Sequence, residues 1–346
     1  MKPISYYSIL LLLFLTARAQ AQIKVGEKGR ISGTVFGDYY WFAQSHNEDY
    51  TNNNGFWFRR IYFTYDHSIS DQLSARLRLD MNSSGDFVTE TELVPQVKDA
   101  YLKWKKGGHQ ILAGISSTPT WGLVEDIWEY RSVEKSPLDL FDFGSSRDFG
   151  LSFKGTLGSK DNVGYHFFLG NGNGGKTELN KGKKLMFSLS YWLTDHLVIE
   201  GYADWNDTTG DPGAIDYYTL QGFAGYRSEK VNLGTLYAFQ QYNASTEATK
   251  GLDIVSFFGT YAFSQELKAY ARADMMLDPN PRGESISYLP MSSTAEPTFL
   301  TGGIDIAIHE AVRLQPNIEM VFYDEIDSGQ RPDADIVPRI TLAYTF

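Results

Sequence analysis

Cysteine is absent from the 346 residues, so no disulfide braces the chain and no thiolate offers a nucleophile or a metal ligand. Beyond the N-terminal segment, no stretch approaches the roughly 18 consecutive apolar residues of a membrane-spanning helix. Histidine is scarce, with 6 residues, and no spacing sets one beside a serine in a way that suggests a hydrolytic pair. Basic charge is also short. Lys and Arg number 31 against 42 Asp and Glu, and the net charge of −11 argues against nucleic acid as a partner. A chain exported without disulfides or membrane helices must be held by a large core or by a sheet that closes on itself.

Export is what the first residues predict. Lys2 supplies a positive start, residues 9–15 form a short apolar run, and Ala17, Ala19 and Ala21 offer small-residue cleavage frames. We expect a cleaved secretory leader over residues 1–21 and a single domain over 22–346. Aromatic residues make up 15% of the chain, with 22 Tyr and 22 Phe, yet mean hydropathy is only −0.31. A membrane barrel reconciles the two by facing rings to lipid and balancing them with a polar interior and polar loops.

Period-two alternation runs through the whole domain. Leu73, Ala75, Leu77, Leu79 and Met81 point one way, and Ser74, Arg76, Arg78 and Asp80 the other. Leu185, Phe187, Leu189 and Tyr191 alternate with Lys184, Met186, Ser188 and Ser190. Leu267 to Met275 and Val312 to Phe322 repeat the pattern, with Glu266, Lys268, Arg272, Asp274, Arg313 and Glu319 on the polar side. About sixteen segments read as strands of the length that a tilted membrane strand needs. Their connections alternate in length, with short ones near 67–71, 106–109, 158–162, 194–196, 228–230, 264–265 and 309–310. Long ones fall near 43–55, 82–96, 116–147, 170–183, 206–216, 243–251, 278–297 and 325–334. A sandwich has no reason to sort its connections by parity, whereas an even-stranded barrel requires it. The predicted fold is all-β, a transmembrane antiparallel β-barrel of about 16 strands with an inward-folded third loop, placed in the outer membrane.

Aromatic residues cluster toward strand ends, as two interfacial belts would require. Trp41, Trp57, Trp205, Tyr218 and Phe239 lie toward the long loops, and Tyr65, Trp104, Tyr191, Tyr261 and Tyr344 toward the short turns. The chain closes on an amphipathic strand ending in Phe346, like the terminal signal that the barrel-assembly machinery of bacterial outer membranes reads.

Charge on such strands must face the lumen, because a cation on the lipid face near the midplane costs about 2–4 kcal/mol. Arg60, Arg76, Arg78, Lys103, Lys154, Lys184, Arg227, Lys268, Arg272, Arg313 and Arg339 are therefore the expected pore-lining cations. Basic rows of this kind attract anions. Asp80, Asp99, Glu200, Asp204, Glu266, Asp274 and Glu319 share the polar faces, so the alternative is a wall of cross-strand pairs with little selectivity. The longest connection carries Trp121, Arg131, Glu134 and Lys135 and ends near Arg147. Leu138, Leu140, Phe141 and Phe143 need a surface to pack on, which favours a constriction loop folded inward over a cap folded outward.

Catalytic and metal readings find less support. His67, His109, His196 and His309 fall in or beside short turns, His46 lies in a long loop, and only His166 sits on a strand. The glycines at 170–175 lack a phosphate-binding ending. Asp207, Asp211 and Asp278 have no calcium-ligand spacing. No metal or cofactor is expected. The alternative to a pore is a barrel hydrolase of lipase or protease type.

Two blocks carry a family likeness. The stretch "GFWFRRIYFTYDHSISDQLSARLRLD" from Gly55 resembles the early strand pair of the phosphate-selective porin O and P family. The stretch "WEYRSVEKSPLDLF…SSRDFGLSFKG" from Trp128 resembles that family's third loop and following strand. The resemblance implies a sixteen-stranded trimeric porin with an inward third loop, and it aligns Arg59, Arg60 and Arg147 with family positions. The expected function is an outer-membrane porin for passive diffusion of small hydrophilic solutes, anion-preferring (phosphate or similar) if the basic rows dominate the lumen and weakly selective if they are paired. The expected partners are outer-membrane lipid and lipopolysaccharide, the assembly machinery, and two further copies of the chain.

Overall fold

The computed structural model describes residues 22–90, 92–210, 216–243, 250–326 and 328–346; the expected leader and Asp211 lie outside them. A short strand, β1 (Ile23–Val25), folds back on the start of β2 (Gly29–Trp41). There follow β3 (Asn54–Ser68), β4 (Leu73–Met81), β5 (Gln96–Lys106), β6 (His109–Ser117), β7 (Arg147–Leu157), β8 (Val163–Gly170) and β9 (Lys184–Trp192). The second half comprises β10 (Leu197–Asn206), β11 (Asp216–Arg227), β12 (Val231–Asn243), β13 (Lys250–Ala262), β14 (Leu267–Met276), β15 (Pro297–His309), β16 (Val312–Tyr323) and β17 (Asp335–Thr345). From β2 onward each strand pairs antiparallel with its sequence neighbour, and β17 pairs with β2 from Arg339↔Tyr40 to Thr345↔Thr34. The sixteen long strands thus form a closed barrel, the one sheet arrangement that leaves no edge to lipid.

The parity of the connections is as predicted. Seven turns of two to five residues occupy one end, and eight longer connections occupy the other. The faces sort accordingly. Leu185, Phe187, Leu189, Leu220, Tyr237 and Phe257 stand exposed on the outside, while Asp204, Arg272, Asp274, Glu319 and Arg339 are buried inside. Trp41, Trp104, Tyr191, Trp205 and Tyr261 are exposed outward as interfacial rings. Trp57, expected among them, instead turns inward and donates from its indole N–H to Asp38 at 2.8 Å. Glu266, expected on an inward face, lies in the turn after β13 and accepts from Ser264.

Two β-bulges break the alternation at places that matter. Phe36 pairs with Arg60 and Gly37 with Phe58, so Arg59 is the extra residue, and Arg59 and Arg60 both face the lumen. Opposite β4, Arg78 pairs with Asp99 and Leu79 with Val97, which leaves Lys98 as a second extra residue beside Asp99. A bulge is the geometric means of putting two successive side chains on one face.

The seam between the first and last long strands ends in a specific contact. The Phe346 N–H donates to Gly33 at 3.0 Å and its carbonyl accepts from Gly33 at 2.7 Å. The phenyl ring lies over the glycine, where an added Cβ would sit 2.2 Å from ring carbons. We predict that Gly33→Val displaces the ring and destabilises the closed barrel by about 1–3 kcal/mol, the usual cost of overpacking. Heat-modifiable gel mobility checks this. Adding Phe346→Ala should remove most of the loss, and a fully additive double variant would refute the contact.

Candidate functional site

The third long loop, residues 118–146, enters the barrel. It contains helix α1 (Gly122–Trp128) and helix α2 (Pro137–Leu140), whose Pro137 stands in the first turn, where its missing N–H costs nothing. The apolar side chains that lacked a partner in the sequence find one here. Trp121, Val124, Ile127, Trp128, Leu138, Phe141 and Phe143 are buried against Phe223, Leu236, Ile254, Phe258 and Phe299 of the wall. Tyr130 stacks on Tyr270 at 4.0 Å. The seventh loop, residues 277–296, covers the same side, and its Asn280 donates to the Phe141 carbonyl.

Arginines of the wall fasten the third loop. Arg59 donates to the carbonyls of Ser132 and Val133 and pairs with Asp38 at 2.5 Å. Arg272 donates to the Lys135 carbonyl and to Asp274. Glu134 lies between Arg59 and Arg339, 3.6 Å from each, and Arg339 also meets Glu319 at 2.8 Å. Arg272 and Arg339 point inward as alternation predicts, but the loops cover them completely, so they hold the constriction rather than contact open water. Lys184 is likewise buried, against Asp204 and Tyr217. Arg227 donates to the Asp126 carbonyl, Lys268 meets Glu129 at 3.5 Å, and Arg313 binds Asp305 at 2.6 Å.

The opposite wall stays open. On β3, β4, β5 and β7 the side chains of Arg60, Arg76, Arg78, Lys98 and Arg147 retain 13–29% of their exposure. Arg76 grips Asp66 with two bonds of 2.7 and 2.9 Å. Arg78 donates to Thr64 and lies 3.3 Å from Asp99, which Arg147 also engages. Arg60 and Lys98 share Asp80. The Arg60 and Arg78 guanidinium groups rest on the Tyr62 ring. Lys103 and Lys154 sit on the same inward faces of β5 and β7. Five of these seven cations thus share three carboxylates, Lys103 and Lys154 have no ion pair among the described residues, and the surplus is positive. Facing them from the loop, Arg131 bridges Glu125 and Asp139 at 3.4 Å each. A basic wall confronts a partly acidic loop across the free part of the lumen, and low-dielectric walls strengthen the field between them.

Sequence reasoning missed Arg59 as a fastener and Lys98 as a wall cation, because it assumed strict alternation. A signal was present. Two adjacent charges within a lipid-spanning strand cannot both satisfy alternation, so Arg59–Arg60 and Lys98–Asp99 each demand a bulge.

Above this region the first loop, residues 42–53, is tied to the mouth. Ser45 donates to Asp335 at 2.7 Å, and the His46 Nδ1 lies 2.9 Å from both Asp335 oxygens. His46 Nε2 faces Glu284 of the seventh loop at 3.4 Å.

Two predictions come from these contacts. Replacing a partner of a buried ion pair strands the other charge at a cost of about 3–5 kcal/mol. Arg59→Ala should therefore loosen the third loop and give larger, noisier single-channel currents; unchanged currents would refute the fastening role. For His46, burial works to lower the pKa, but hydrogen bonds and charge from Asp335, joined by Glu284, outweigh it and leave the pKa raised. A raised folded-state pKa adds stability that is fully present below the unfolded value of about 6.5 and disappears as pH rises through the folded value. Hydrogen exchange of residues 42–53 should accelerate across that interval, and His46→Gln should abolish the dependence.

Comparison with known proteins supports the same architecture. No family model matches the chain. The curated "Porin-like protein L" of Photobacterium profundum is 32% identical over 126 residues, which take in 36% of this chain and 35% of that protein. Among solved structures, OmpF of Salmonella typhi in complex with daunomycin superposes with a TM-score of 0.64 at 13% identity, covering 94% of this chain and 100% of that one. The outer membrane channel DcaP of Acinetobacter baumannii gives 0.64 at 11% identity, covering 94% and 99%. OmpT of Vibrio cholerae gives 0.63 at 11%, covering 94% and 100%. By closure, connection parity and these likenesses, the chain is a sixteen-stranded β-barrel of the bacterial outer membrane.

Proposed function

We propose that the barrel is a porin, a water-filled passage through which small hydrophilic solutes diffuse passively. One observation carries this reading. Arg60, Arg76, Arg78, Lys98 and Arg147 keep 13–29% of their side-chain exposure, as do Lys268 and Arg313 near the short-turn end, whereas Arg59, Arg272 and Arg339 under the third loop keep at most 3%. Charge is expensive to bury without a partner, and a wall carrying more cations than carboxylates is stable only if water reaches it. The partial likeness to a porin-like protein and the fold shared with a solved outer membrane channel point the same way.

The finer reading is a preference for anions such as phosphate, favoured by the surplus of Arg60, Arg76, Arg78, Lys98, Lys103, Lys154 and Arg147 over Asp66, Asp80 and Asp99. It also includes a homotrimer, in keeping with the trimer form in which one fold neighbour was solved, and delivery by the barrel-assembly machinery through the strand that ends in Phe346. No catalytic step is part of the proposal. Ser152 Oγ does lie 2.7 Å from His166 Nε2, but Ser152 is wholly buried, which denies a substrate the contact that nucleophilic attack requires.

Planar-bilayer recording across a salt gradient tests both levels. Stepwise conductance is the expected result, and its absence in folded protein would end the porin reading. An anion-signed reversal potential is expected, and Arg76→Glu with Arg78→Glu should move it several-fold toward cations. Cation or zero selectivity in the unmodified protein would leave a general pore.

A further inference from the structure

The lipid-facing surface carries a groove that the passage through the barrel does not use. Outward residues on four successive strands share a register row: Leu189 pairs with Gly201, Gly201 with Gly222, and Gly222 with Tyr237. The next row toward the long loops reads Phe187, Ala203, Leu220 and Phe239. Two walls of large side chains on β9 and β12 therefore flank a floor of Gly201, Gly222 and Ala203, which Leu220 closes toward the long loops, leaving a trough of ≈ 680 Å³ open to the hydrocarbon. With strands about 4.8 Å apart, its walls stand roughly 14 Å from each other.

Directly above the β9 wall the chemistry changes. The pairing of β9 with β10 continues past the strand ends, as Asp207 donates to the Lys183 carbonyl and Lys181 to the Thr209 carbonyl. Lys181 and Lys183 thereby fall on the outward row of Leu185, Phe187 and Leu189, and both are exposed. The neighbouring Asp207 takes the Thr209 N–H and hydroxyl on one oxygen, at 2.8 and 2.6 Å, and the Lys183 ammonium donates to the Gly182 carbonyl at 2.6 Å, which leaves it two further donors. Two ammonium groups at headgroup height over an apolar trough, at the long-loop end, match an amphiphile with phosphate at its head and acyl chains below.

We propose that this surface is a binding site for a phosphorylated, multiply acylated glycolipid of the outer leaflet, with an acyl chain in the Gly201–Gly222 trough and a phosphate at Lys181 and Lys183. A second copy of the chain fits this surface less well. The two ammonium groups call for an anionic partner, and the most exposed apolar side chains of the chain, Leu179, Phe56 and Val88, supply no negative charge.

The site can be filled without disturbing the fold. A Cβ added at Gly201 or Gly222 meets no atom within 4 Å, so Gly201→Leu with Gly222→Leu occupies the trough and leaves the barrel intact. Native mass spectrometry of the folded protein with bis-phosphorylated lipid A is the test, with dephosphorylated lipid A as the comparison. Filling the trough, or Lys181→Glu with Lys183→Glu, should each cut retained lipid by at least about tenfold, the scale of two lysines at an anionic surface. Removing the phosphates should match the lysine variant, and conductance should be unchanged throughout. Equal retention by all forms would overturn the proposal. So would a change of oligomeric mass on filling the trough while lipid retention stays constant, which would make the surface a protein contact.

Discussion

Inside a bilayer no water is present to satisfy a peptide group, and each orphaned N–H or C=O costs several kcal/mol. That single constraint organises this molecule. The strands must pair on both sides, the last must find the first, and the chain must alternate apolar and polar side chains so that one face meets lipid and the other does not. The β17–β2 pairing and the placement of Phe346 on Gly33 meet the constraint at the one position where chain order alone would leave an edge.

Closure creates a second problem, which the loops solve. A sixteen-stranded cylinder lined by charge is too wide to be filled by wall side chains alone. The third loop brings an apolar core of its own, led by Trp128, Phe141 and Phe143, and buries it against β11 to β15. The wall answers with arginines whose guanidinium groups bind loop carbonyls in fork geometry, a use for which lysine is a poor substitute. The lumen is divided as a result. One side resembles the interior of a soluble protein, and the other remains a hydrated, charged corridor between Arg60, Arg76, Arg78 and Arg147 and the Glu125–Arg131–Asp139 group of the loop.

The same residue type therefore performs two tasks according to what lies across from it. Arg76 and Arg339 both alternate inward on strands and both meet carboxylates. Arg76 keeps 29% of its side-chain exposure and contributes to the field on the open side of the lumen. Arg339 faces the loops, is sealed from solvent, and contributes to rigidity. The bulges at Arg59 and Lys98 enlarge this stock of inward charge by adding side chains that strict alternation would have turned toward lipid.

Strand number, strand order, the parity of connections and the inward sense of most charges were legible in the residues, because lipid imposes a period of two and each turn can be read from neighbouring positions. The inward course of the third loop was legible for a related reason: Leu138, Leu140, Phe141 and Phe143 in a long connection require a surface. Tertiary structure alone decided which charges remain wet. That depends on how the loops divide the lumen, and contacts such as Glu134 with Arg339 or His46 with Asp335 join residues hundreds of positions apart. Periodicity along a strand reports which face a side chain takes; what stands opposite that face is set only when the barrel has closed and the loops have packed inside it.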